Sequence, residues 1–152
     1  MKTEIVGGPG GTGFTSVSNN GSPLVGIRAV PGVWNGKKIV KSLVATASRI
    51  ATRTDDPERV MAKDGYVISG LIVDADTTSV VAVKVIFVAY KDGRSNPIDT
   101  YTSQWLGTPD DNDAKTLGGD GAAVMGLEGR RGLNQDAIGL IILPTDKQSA
   151  AK

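Results

Sequence analysis

Glycine occupies 20 of the 152 positions, and its placement limits the fold more than any other feature. Average usage is about 7%, and only 7 prolines accompany the excess. The surplus therefore marks backbone that has to bend tightly, not a disordered Pro-Gly tract. Between the glycines lie short β-branched runs at Gly26 to Val30, Ile39 to Ala45, Val67 to Val73, Val80 to Tyr90, Ala122 to Leu127 and Ala137 to Leu143. Their length and composition predict strands. Asn20-Gly21, Asn35-Gly36, Asp64-Gly65 and Asp92-Gly93 sit beside these runs, and each pair tolerates the positive φ of a tight hairpin. One short helix is predicted over Asp56 to Lys63, with Asp55 and Glu58 as a capping box and Pro57 in the first turn.

The runs also repeat. Val25-Gly26-Ile27-Arg28, Ser69-Gly70-Leu71-Ile72 and Met125-Gly126-Leu127-Glu128 each place Gly before Ile or Leu at the start of a strand. A partner strand follows about ten to fifteen residues later, at Val40-Lys41-Ser42-Leu43, Val80-Val81-Ala82-Val83 and Gln135-Asp136-Ala137-Ile138. Three similar units predict an all-β, threefold arrangement in which each unit buries one face against the other two. The length fits a single domain over residues 1–152 with a core that needs no staples.

Composition removes most chemistry. There is no cysteine and no histidine, which excludes disulfides, thiolate or imidazole metal sites, cysteine nucleophiles and Ser-His-Asp triads. Lysine and arginine number 17 against 16 acidic residues, a net charge of +1, so no overall field draws the chain to nucleic acid or to an anionic membrane. No run approaches the roughly 20 apolar residues of a membrane span, and Met1 to Val6 lead into glycines instead of an apolar leader. The expectation is a soluble protein, cytoplasmic or released without a recognisable signal peptide, with no membrane insertion. No cofactor is expected. The acidic stretch Asp110-Asp111-Asn112-Asp113 with Asp120 lacks the glycine and distal glutamate of a calcium loop; it and Asp74-Ala75-Asp76 read as solvated loops.

Two glycine clusters remain. Gly8-Pro9-Gly10-Gly11-Thr12-Gly13 satisfies the G-x-G-x-x-G pattern, but Phe14 to Pro23 cannot open the helix that a dinucleotide site needs. It reads as a tight turn, or as a loop whose bare backbone admits a ligand. Gly129-Arg130-Arg131-Gly132-Leu133-Asn134-Gln135-Asp136-Ala137-Ile138-Gly139 reads as a hinged loop feeding a strand. A carboxylate at that junction, with backbone amides turned to the same point, matches vicinal hydroxyls that both donate and accept. The plainer alternative is that Asp136 caps a turn and Arg130 and Arg131 are solvated. No second carboxylate is placed for glycoside hydrolysis, so the chain is not expected to be an enzyme.

Together, Gly7 to Phe14 and Gly129-Arg130-Arg131-Gly132 through Asp136-Ala137-Ile138-Gly139 resemble the jacalin-related lectins, whose sugar site joins a GG loop to a G-x-x-x-D loop. Gly26-Ile27-Arg28 falls where that family starts its next strand, and roughly residues 45 to 120 match only as strand pattern. The resemblance implies a β-prism of three four-stranded Greek-key units with pseudo-threefold symmetry, and carbohydrate binding without catalysis. It implies that the Gly11 amide faces a ring hydroxyl, that Asp136 accepts from two hydroxyls, that the amides of Asn134 and Gln135 donate, and that Gly132 supplies the turn beside Leu133. Two features depart from the family pattern. Gln135 stands where an apolar residue commonly packs inward, and Leu133 and Asn134 where many relatives have an aromatic. Trp34 and Trp105 are the other aromatics on offer, read first as core or turn residues. Lys41 and Val81 occupy the places of Asp136 in the other two units, so one site per chain is expected.

Galactose-type members of that family are commonly processed to free the glycine amine beside the site. Here residues precede Gly11 without an apparent processing sequence, so mannose-type glycans are expected over galactose-type ones. Avidity from a single weak site implies a homo-oligomer, most simply a twofold dimer. The rival expectations are a structural or protein-interaction module on the same fold, or the targeting part of a toxin or adhesin.

Overall fold

The computed structural model describes residues 2–18, 21–48, 57–110 and 113–143. Among them lie strands β1 Val6–Gly7, β2 Thr12–Val17, β3 Gly26–Trp34, β4 Lys37–Thr46, β5 Arg59–Met61 and β6 Tyr66–Ala75. The chain continues through β7 Val80–Lys91, β8 Arg94–Thr102, β9 Leu106–Gly107, β10 Lys115–Gly118, β11 Val124–Arg131 and β12 Gln135–Ile142. All pairings are antiparallel and fall into three sheets: β1-β12-β11-β2, β4-β3-β5, and β10-β6-β7-β8 with β9 on β7.

Each sheet is centred on one hairpin of the sequence repeat. Gly26 faces Thr46, Gly70 faces Ile86 and Gly126 faces Ile141. In the third sheet β10 lies beside β6, the first strand of the β6-β7-β8 run, which is the Greek-key order. The first sheet has the same order if the chain is followed from β11 and β12 round to β1 and β2, and β5, β3 and β4 hold the matching places in the second. This is the pseudo-threefold β-prism, with four, three and five strands per sheet among the described residues.

One core fills the space between the sheets. The first sheet contributes Leu127, Ile138 and Leu140, the second Ile27, Val40 and Leu43, and the third Ile68, Leu71 and Phe87, all at most 2% exposed. Each such side chain contributes about 1.5 to 3 kcal/mol by leaving water. The sheets can bury these faces only against one another, because β-strands project side chains alternately to two sides.

The expected helix over Asp56 to Lys63 does not form. Asp55 and Asp56 lie outside the described residues, while Arg59–Met61 is a strand whose Val60 pairs with Ile27. Two turns of isolated helix are marginal, and ladder bonds to β3 with burial of Val60 at 8% exposure outweigh the capping box. Asn35-Gly36 and Asp92-Gly93 do close hairpins, both residues of each pair having positive φ. Asp64-Gly65 instead links β5 to β6, which belong to different sheets, and Asn20 lies outside the described residues.

Candidate functional site

Strand pairing brings the two glycine clusters together. Gly7 pairs with Ala137 and Thr12 with Arg131, so residues 8–11 and 132–134 must leave the first sheet at the same end. The Gly8 N–H donates to the Asp136 carbonyl at 2.8 Å. Arg130, far from being merely solvated, reaches across to the first loop and donates from Nε to the Gly10 carbonyl at 3.0 Å and from Nη2 to the Gly11 carbonyl at 2.8 Å.

Gly11 is a position in the first loop where glycine is required. Its φ is +72°, and a Cβ there would overlap Asp136 Oδ2 and lie 2.7 Å from the Arg131 carbonyl carbon. Only a bare backbone can lie flat against that carboxylate in this conformation. Gly8 is constrained from the other side, since a Cβ would meet Thr77 O at 2.6 Å. The first loop is thus wedged between Asp136 and the turn that joins β6 to β7.

Gly11, Gly132, Leu133, Asn134 and Asp136 all line one cavity of about 400 Å³, within the usual size range of ligand pockets. The Asp136 side chain is half-buried, and among the described residues no hydrogen bond engages its carboxylate. Its lone pairs face the cavity. Leu133 is 83% exposed at the rim, and the Gly132 N–H is spent inside the loop on the Asn134 carbonyl at 3.0 Å.

Gln135 does not line the cavity, and its side chain is fully buried beneath it. Its Oε1 accepts from Leu43 N–H at 3.1 Å and from Arg131 Nε at 3.2 Å, while its Nε2 donates to the Ala137 carbonyl at 2.9 Å. The residue packs inward as an apolar one would, because every polar atom of its amide finds a partner there. Arg131 is held with it, donating to the Leu43 carbonyl at 2.9 Å and stacking 4.4 Å from the Phe14 ring centroid.

The other wall comes from the other two sheets. Trp34, at the end of β3 and 44% exposed, lines the cavity together with Thr78 and Ser79 of the β6–β7 turn. Of the two aromatics on offer, Trp34 is thus no core residue but flanks the Asn35-Gly36 turn and reaches the cavity. Trp105 lies elsewhere, under Lys84 at 5.0 Å.

Lys37 ties this wall together. Its Nζ lies 2.8 Å from Asp76 Oδ2 and 2.8 Å from Asp110 Oδ2, and Asp76 Oδ1 accepts from the N–H groups of Thr78 and Ser79, each at 2.8 Å. Asp74 is 1% exposed and accepts from Asp110 N–H at 2.7 Å, so neither acidic stretch is a plain solvated loop. Asp111 and Asn112 lie outside the described residues, and among those described no cluster of potential metal ligands occurs. Hydrogen bonds to Asp110 and then Asp76 hold the Lys37 ammonium charged well above the ordinary lysine range. For Asp76, burial pushes its pKa upward, but the bonds from Lys37, Thr78 and Ser79 outweigh it and hold the carboxyl well below the ordinary range.

The signs of these shifts set a pH window. Stability from the depressed Asp76 is fully present above its unfolded value of 3.8 and is lost as pH falls through the folded value. That from the raised Lys37 is fully present below its unfolded value of 10.5 and is lost as pH rises through the folded one. The difference in Tm between the wild type and Lys37→Met should stay constant from about pH 5 to about pH 9 and shrink in stronger acid. A difference that vanished near neutrality would contradict this clasp.

The sequence matches no protein-family model and no curated protein. The fold, in contrast, is similar to solved structures of jacalin-related and other plant lectins. Calystegia sepium agglutinin aligns with a TM-score of 0.57 at 14% identity, covering 94% of this chain and 95% of that one. Malaysian banana lectin aligns at 0.55 and 14% identity over 95% and 98%. A mannose-specific jacalin-related lectin from Morus nigra, solved with mannose, aligns at 0.53 and 15% identity over 95% and 94%. At such identities the likeness is one of fold.

Proposed function

We propose that this chain is a lectin that binds a mannose-type glycan, without catalysis, at the Asp136 cavity. The observation that carries the reading is a half-buried carboxylate with no protein partner among the described residues, enclosed by two glycine loops. Such a group can accept from two neighbouring hydroxyls while the amides of Gly11 and Asn134, which line the cavity, serve as donors. Asp136 is the one carboxylate among the described residues lining the cavity, whereas hydrolysis of a glycosidic bond uses a pair. The Gly11 nitrogen is a peptide amide in a continuous chain, and a fixed amide suits an equatorial hydroxyl better than a mobile ammonium would. The mannose-specific Morus nigra lectin, similar in fold, points the same way. Because one shallow site binds a monosaccharide only weakly, a dimer would supply avidity.

Competition against an immobilised high-mannose glycan tests the reading. Methyl α-mannoside should displace the protein, and methyl galactoside at the same concentration should not. The reverse order would transfer the site to galactose-type sugars, and failure to retain the protein on any glycan would leave a structural module in place of a lectin.

A further inference from the structure

Trp34 sits on a wall that the two glycine loops do not build, and its offset from them is informative. The β3–β4 hairpin approaches the β11–β12 loop at Gly32, where a Cβ would lie 3.5 Å from Asn134 Oδ1. Trp34 is two residues further toward the hairpin tip. With a strand rise of about 3.3 Å per residue, its Cα lies roughly 7 Å beyond that contact. That is about the length of one sugar residue.

The hairpin tip is also tied to its neighbours. Trp34 pairs with Lys37 across the Asn35-Gly36 turn, and Lys37 is bonded to both Asp76 and Asp110. The same Asp76 fixes Thr78 and Ser79, which share the cavity with Trp34. A large aromatic thus stands 44% exposed on a tip held by these bonds, in the cavity that Thr78 and Ser79 also line. An indole face matches the C–H face of a pyranose, and the Thr78 hydroxyl, which donates to Asp76 Oδ1 at 2.9 Å, keeps a lone pair to accept from its polar edge.

We infer that the site reads an oligosaccharide and that Trp34 is its specificity-determining residue. The ring anchored at Asp136 is followed by a second pyranose stacked on Trp34 and bordered by Thr78. The inference rests on the lectin reading given above.

Isothermal titration of wild type, Trp34→Ala and Trp34→Phe with methyl α-mannoside and with an α-linked mannotriose separates the two. Wild type should bind the trisaccharide more tightly than the monosaccharide. Trp34→Ala should lose between about twofold and about tenfold for the trisaccharide, the range expected of aromatic contacts, and clearly less for methyl α-mannoside. Trp34→Phe should recover most of the loss. If Trp34→Ala binds both sugars as wild type does, or weakens both equally, the extended subsite is wrong while the lectin reading stands. Wild type that binds neither sugar overturns both.

Discussion

Replacing Gln135 with leucine, a side chain of similar volume, should destabilise the protein by about 3 kcal/mol, the sum expected for one buried amide and one guanidinium losing partners. Leu43 N–H and Arg131 Nε both donate to Gln135 Oε1. Leucine would leave the first unsatisfied in a dry environment and free the second from one of its anchors. For a domain of this size the loss corresponds to a fall of about 10 °C in Tm. Differential scanning calorimetry checks the figure. A variant that melts within about 2 °C of wild type would mean that the amide network does not hold the loop, since ordinary surface changes stay within about 0.5 kcal/mol.

The central hairpins were legible because both faces of the signal agree. Val80 to Val83 are all fully buried, and it is the β-branched content of their apolar run and the turn residues flanking it that favour an interior strand over a buried helix. The threefold Gly-Ile/Leu pattern marks the first strand of every central hairpin, β3, β6 and β11. The outer strands were not legible. β2, Thr12–Val17, is exposed at nearly every position, and β8, Arg94–Thr102, carries Pro97 and a 91% exposed Ile98. Such strands owe their existence to ladder bonds with a neighbour, and their own side chains carry no alternation. The helix expected at Asp56 to Lys63 failed for the same reason, since a local capping signal was overridden by pairing with β3.

At the site, the loops were legible as glycine clusters and Asp136 as the carboxylate between them. What joins them was not. Arg130 meets Gly10 and Gly11 some 120 residues earlier in the chain, a contact that follows only from β1 and β2 flanking β12 and β11. Lys37, Asp76 and Asp110 come from three separate segments, and each alone looks like an ordinary surface charge. Trp34 likewise belongs to the site only through the packing of a second sheet, because the hairpin that carries it is adjacent in space and distant in sequence.

The central claim is that Asp136 is the anchor of the sugar, and titration of an Asp136→Ala variant with methyl α-mannoside tests it most directly. The carboxylate has no hydrogen-bond partner among the described residues, and the backbone bond from Gly8 to the Asp136 carbonyl survives the change. The fold should therefore persist, with wild-type circular dichroism and a similar Tm. Charge-assisted hydrogen bonds contribute about 1.5 to 3 kcal/mol each, and a millimolar site holds only about 4 kcal/mol in total. Losing two such bonds takes nearly all of it. The account predicts a wild type that binds the sugar and a folded Asp136→Ala protein that gives no binding heat at about ten times the wild-type Kd; a folded variant that keeps wild-type affinity would place the sugar elsewhere and contradict it.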